Sequence, residues 1–214
     1  MPTLTTLDTS HLLALAAALG WASGFRLYAV VFLVGLSGTL GWITLPTGLS
    51  VLQHPAMLMA SGFMLCVEFF ADKIPGLDSL WDMVHSVVRI PAGALLAAGA
   101  LGADSASMTA VAALLGGTLA ATSQAAKTTT RAAINTSPEP FTNVLASLLE
   151  DGLVVGAVWL ASTHPLVFGM LLSVMVVLMW IVTRLLFKFL RTVLRRVAAF
   201  FGNKKMIETP KELR

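Results

Sequence analysis

Residues 66–89 read C-V-E-F-F-A-D-K-I-P-G-L-D-S-L-W-D-M-V-H-S-V-V-R. Glu68, Asp72, Lys73, Asp78, Asp82, His85 and Arg89 stand here among apolar neighbours, and their spacing decides the fold. Glu68 and Asp72 are four apart; Asp78, Asp82, His85 and Arg89 step by 4, 3 and 4. Side chains three or four apart share one face of a helix. The stretch therefore reads as two helices, each with one polar stripe, joined by the turn D-K-I-P-G-L-D (72–78). Pro75 and Gly76 stop the first helix, because neither continues one cheaply. Asp78 is expected to cap the start of the second.

The surroundings say which solvent these helices face. The chain has 214 residues, 57% hydrophobic and 12% charged, with a mean hydropathy of +0.83. Soluble domains carry about 25% charged residues, so this is expected to be an all-α polytopic membrane protein. Nine of the fourteen Lys and Arg lie in residues 184–214. The net charge of +3 is thus a basic tail on an apolar body, which excludes a nucleic-acid footprint. The single cysteine, Cys66, allows no internal disulfide and no cysteine-based metal site, and is expected to be a small buried hydrophobe. Residues 1–10 lack a basic n-region, so no cleaved signal peptide is expected.

Apolar runs and punctuation predict about six spans. The first run, 11–43, exceeds the roughly 20 residues a straight span needs. A break at Gly20–Gly24 would divide it into a half-helix at 11–19 and a span at 21–43; a continuous, tilted helix would also fit. Helices are expected at 55–72, 79–102 (kinked at Pro91), 108–135 and 141–162, and from Pro165 onward. The membrane core is then 1–162, with two hairpins, 55–102 and 108–162, whose polar tips contain proline. Residues 163–202 form the last span, continuing as a basic amphipathic helix, and 203–214 a flexible tail. Arg184, Lys188, Arg191 and Arg195 form that helix's basic stripe, suited to anionic lipids. The distribution of Lys and Arg places both tips and both termini on the cytoplasmic side. In a rival topology both hairpins are re-entrant and their tips meet at mid-membrane.

Two further stripes complete the pattern. Ser123, Lys127 and Arg131 step by 4 and 4; Asn143, Ser147 and Glu150 step by 4 and 3, with Asp151 adjacent. Charge facing hydrocarbon is costly, so the four stripes must face one another or water. Depth along the helices makes them a polar funnel that opens toward the tips. The outer halves, 91–102 and 110–121, are rich in Ala and Gly, with pairs such as Gly93/Ala97 and Ala113/Gly117 that allow close packing. The funnel reads as a site for a small charged, anionic substrate bound by Arg89, Lys127, Arg131, Asn143 and Arg26. Glu68, Glu150, Asp151 and His85 would carry protons. The alternative is a network of ion pairs that only holds helices together. Asp72, Lys73 and Asp78 read as caps and turn formers. A hard cation on Glu68, Asp72 and Asp82 is conceivable, but no metal or other cofactor is expected. No P-loop, G-x-S-x-G or H-E-x-x-H motif occurs. An enzyme acting on a lipid or isoprenoid phosphate, and a structural or assembly protein (a homo-oligomer included), stay open as alternatives.

The motifs A-S-G-F-R (22–26), E-F-F-A-D-K-I-P-G-L-D-S-L-W-D-M-V-H (68–85), R-I-P-A-G-A (89–94) and N-T-S-P-E-P-F-T-N (135–143) carry a resemblance. Over about residues 10–162 the chain resembles a bacterial integral-membrane family catalogued only as a domain of unknown function. The resemblance implies a bacterial inner-membrane protein whose motif stretches form one unit, and it brings no activity with it.

Overall fold

A computed structural model describes residues 8–74, 76–102, 106–136 and 140–207. Among these residues there are six α-helices: α1 (Thr9–Thr39), α2 (Pro55–Ala71), α3 (Leu77–Leu101), α4 (Ala106–Ile134), α5 (Pro140–Thr163) and α6 (Pro165–Ile207). A 3₁₀ segment, Thr47–Gln53, precedes α2. The protein is all-α and polytopic. Five helices, all but α2, are long and apolar enough to cross a membrane; the 3₁₀ segment with α2, bent by 69°, would make a sixth. Pro75, the tip residues 137–139 and the last residues, 208–214, lie outside the described residues.

Length and composition mislead for α1. At 1.5 Å per residue, 31 straight residues would extend about 46 Å. Yet Leu12, near the start of α1, borders the same cleft as Thr44–Thr47 just beyond its end, together with Ala100, Leu101 and Gly102. Ser10, Leu13 and Ala14 lie beside Pro165 and Leu166 at the start of α6. The helix doubles back. The turn is at Arg26, whose φ of −146° and ψ of 81° leave the helical region. Residues 9–25 descend into the bundle parallel to α6, with Trp21 Nε1 donating to Met179 Sδ over 3.3 Å. Residues 27–39 climb back beside α2, where Phe32 meets Gly62 and Gly35 meets Leu52. The element that doubles back within the bundle is therefore α1.

One expectation changes as a result: the break lies at Arg26, not within Gly20–Gly24. The start of α1 packs beside the start of α6, at the opposite end of that helix from its basic stripe.

Gly20 and Gly24 serve close approach instead. A Cβ on Gly20 would sit 2.5 Å from Gly116 Cα, and one on Gly24 would sit 2.3 Å from the Ala120 carbonyl oxygen. In lipid, where burial of apolar surface drives little, such backbone contact holds helices together. The packed face of α4 is Ala112, Gly116 and Ala120, all buried, one position off the expected Ala113/Gly117 pair. Gly93 and Ala97 of α3 meet this face as expected.

Smaller corrections concern the tips and the tail. Gly76, with φ of 86°, caps α3; Asp78 lies in its first turn and accepts from Gly76 N–H over 2.8 Å. α3 runs through Pro91 as helix. Cys66 faces outward, toward lipid. Residues 203–207 continue α6 as helix. Arg184 lies over the Trp180 ring, 4.2 Å from its centre.

Candidate functional site

The turn of α1 meets the polar stripes of the other helices. Arg26, at its apex, contacts Asp72 at the end of α2 (3.0 Å) and Asp151 of α5 (2.8 Å). It donates to Ser147 Oγ over 2.5 Å. The contact with Asp151 is charge to charge, without the alignment of a hydrogen bond. On α3, Arg89 donates to Asp82 over 2.7 Å and to Gln124 Oε1 over 2.9 Å, and its second terminal nitrogen is bonded to Glu68. On α4, Arg131 pairs with Glu150 at 3.0 Å and donates to the Asn143 carbonyl over 3.0 Å and the Asp72 carbonyl over 3.2 Å.

Lys127 stands among four oxygens from four elements. Its Nζ is 3.0 Å from the Phe25 carbonyl oxygen, 3.4 Å from Asp72 Oδ2, 3.1 Å from Asp82 Oδ1 and 3.3 Å from Glu150 Oε2. The break in α1 explains the first of these, since a helix that ends leaves carbonyls without amide partners. Ser123 Oγ meets the same need one turn earlier, donating to the Trp21 carbonyl over 2.6 Å.

These groups are withdrawn from solvent. The side chains of Arg26, Arg89, Lys127, Arg131, Glu68, Asp72 and Asp82 are 0% exposed, Glu150 9% and Asp151 30%. Their side chains interlock in one network. From the tip inward the chain of contacts runs Asp78–Asn135–Asn143–Arg131–Glu150–Lys127–Asp82–Arg89–Glu68. Five carboxylates (Glu68, Asp72, Asp82, Glu150, Asp151) face four cations (Arg26, Arg89, Lys127, Arg131). Glu68 Oε2, Asp72 Oδ1 and Asp82 Oδ2 are buried without a hydrogen-bond donor among the described residues.

Of the residues singled out from sequence, Arg26, Arg89, Lys127, Arg131, Asn143, Glu68, Glu150 and Asp151 come together here. His85 does not. Its ring stacks on Trp81 (centres 3.9 Å apart), its Nδ1 faces the Trp81 carbonyl at 3.0 Å, and Tyr28 stands edge-on at 5.8 Å. Glu68, Asp72 and Asp82 do not form a metal site: basic side chains lie between them, and no group of three candidate ligands that could hold a metal occurs among the described residues. Asp72 is the largest correction. Read as a turn former, it is a buried hub touching Arg26, Lys127 and Arg131. Gln124 and Asn135 were missed, although Gln124 precedes Lys127 by three residues and so shares its face.

Lys73 remains at the rim as a turn residue, donating to the Phe69 carbonyl over 3.0 Å with its Nζ over the Phe69 ring. Partial burial, then the nearby Arg26, hold its ammonium below the usual lysine range. At the opposite end, Asp8 caps α1 by accepting from His11 N–H over 2.9 Å, and that bond with Ser10 holds its carboxyl well below the carboxylate range.

Fold and site together define a polytopic α-helical membrane protein whose first helix bends back at Arg26 and whose interior is ion-paired. The chain belongs to the family described as Domain of unknown function (DUF4126), whose model matches residues 13–185 and so reaches into α6. No curated protein and no solved structure matches it.

Proposed function

We propose that the protein is a small transporter or channel-like protein of a bacterial inner membrane that couples proton uptake to movement of a small anion. The observation that carries this reading is the state of the cations: each of the four is already held by at least one carboxylate. An anion binds Arg131, Lys127 or Arg26 only after a carboxylate lets go. Protonating Glu150 or Asp151 neutralises it and frees the cation it held, so proton and anion load together. Asp151, the most exposed of the five carboxylates, is the entry point. An all-structural network is less favoured because buried ion pairs seldom repay their desolvation. The basic tail and both tips then face the cytoplasm, where Arg184, Lys188, Arg191 and Arg195 meet anionic lipid.

The test uses proteoliposomes containing a pH-sensitive dye, to which a panel of small inorganic and organic anions is added. At least one anion should acidify the lumen in step with its own uptake. Asp151→Asn and Glu150→Gln should abolish the dependence of uptake on the pH gradient. Uptake with unaltered pH dependence in both variants would sink the proposal.

A further inference from the structure

The surroundings of Lys127 differ from those of the three arginines. A guanidinium is a planar fork, and Arg26 and Arg89 each meet two carboxylates through different nitrogens. The Lys127 ammonium is a compact charge enclosed by oxygens from the α1 turn, the end of α2, α3 and α5. It has three protons to donate and four oxygens around it. One of those oxygens ends a half-helix: residues 9–25 finish at Phe25, and the carbonyl end of a helix carries partial negative charge. Half-helix ends joined by acidic groups inside a membrane form a seat for a monovalent cation.

We infer that this is such a seat, permanently filled by the chain's own ammonium. The inference rests on the proton-coupled reading and deepens it: the coupling ion is a proton, and sodium or potassium is kept out of this seat. An ammonium and a potassium ion are similar in size, so the tether substitutes for the free ion. The charge in the seat is discharged in one way. A proton passes from Nζ to Asp72 Oδ2, to which it is hydrogen-bonded over 3.4 Å, leaving a neutral amine and a neutral acid with the total charge conserved. Asp82 and Glu150 also face the ammonium, with Arg26, Arg89 and Arg131 behind the three carboxylates. Discharge loosens the hold on the Phe25 carbonyl, and with it the apex of α1.

The experiment is thermal unfolding of the purified full-length protein in detergent, with choline, sodium, potassium and lithium chloride exchanged at constant ionic strength. Wild type should show one midpoint in all four salts. Lys127→Ala should unfold at lower temperature and regain several degrees in potassium or ethylammonium, but none in choline or tetramethylammonium, which are too large for the seat. Lys127→Met, which keeps the apolar stem, should respond to potassium alone. A wild-type midpoint that moves with sodium or potassium overturns the inference; that arm decides alone if neither variant folds. It is equally overturned if folded variants respond to choline as strongly as to potassium, or to no cation at all. No transport is measured, so the result stands apart from the fate of the proton-coupled reading.

Discussion

Arg89 shows what a single side chain does in this interior. It joins three elements by bonding Glu68 of α2, Asp82 of its own helix and Gln124 of α4. Truncating it leaves two buried carboxylates without their cation, and Arg89→Ala is expected to cost about 3–5 kcal/mol in denaturant unfolding. Arg89→Lys should recover only part, because an ammonium does not reproduce the planar fork. Being buried, the loss should change little between low and high salt. Lys73 gives a titration of opposite character. Its folded-state value is lowered, so between that value and the ordinary 10.5 the unfolded chain binds more protons. Stability should rise with pH through that window. The rise, followed by chemical unfolding at stepped alkaline pH, should be smaller in Lys73→Met. Residue by residue, the stripes were legible because three-and-four spacing is a property of sequence. Asp72 was not, because its role depends on Arg26 arriving from 46 positions earlier by a turn that no local pattern announces.

At the scale of elements, α1 and α4 set the geometry. A methyl group on Gly24 would lie 2.0 Å from Ser123 Oγ and 2.3 Å from the Ala120 carbonyl. Gly24→Ala is therefore expected to push the first arm of α1 off α4 and to destabilise by about 1–3 kcal/mol. Adding Ser123→Ala should recover only a fraction, since the clash with backbone remains; paired unfolding curves measure both. The glycines at 20 and 24 looked like a helix break because glycine weakens helices in water. In a bilayer the same residue permits backbone contact, and sequence alone does not say which use applies. The helices within 55–102 and 108–162 were readable from the prolines and polar turns that bound them. The reversal at Arg26 was not, because it uses neither glycine nor proline at the turning residue.

At the scale of the whole molecule, the reversal sets the sidedness of the chain. If α1 turns back within the membrane and α2 to α6 each cross it, Thr9 and Arg195 fall on opposite sides. In a Cys66→Ser background, Thr9→Cys and Arg195→Cys should react with an impermeant maleimide from opposite faces of sealed vesicles. Labelling of both from one face would restore the six-span topology. The reversal also bears on the order in which the protein is made. Arg26 emerges from the ribosome before any of its partners; Asp72 follows, and Ser147 and Asp151 come only with α5. Until then the turn of the first helix lacks two of the contacts that hold Arg26 at its apex. Its final placement is thus a late event of biogenesis, completed from the far end of the chain, and a nascent protein halted before α5 would lack the contacts that hold its own beginning in place.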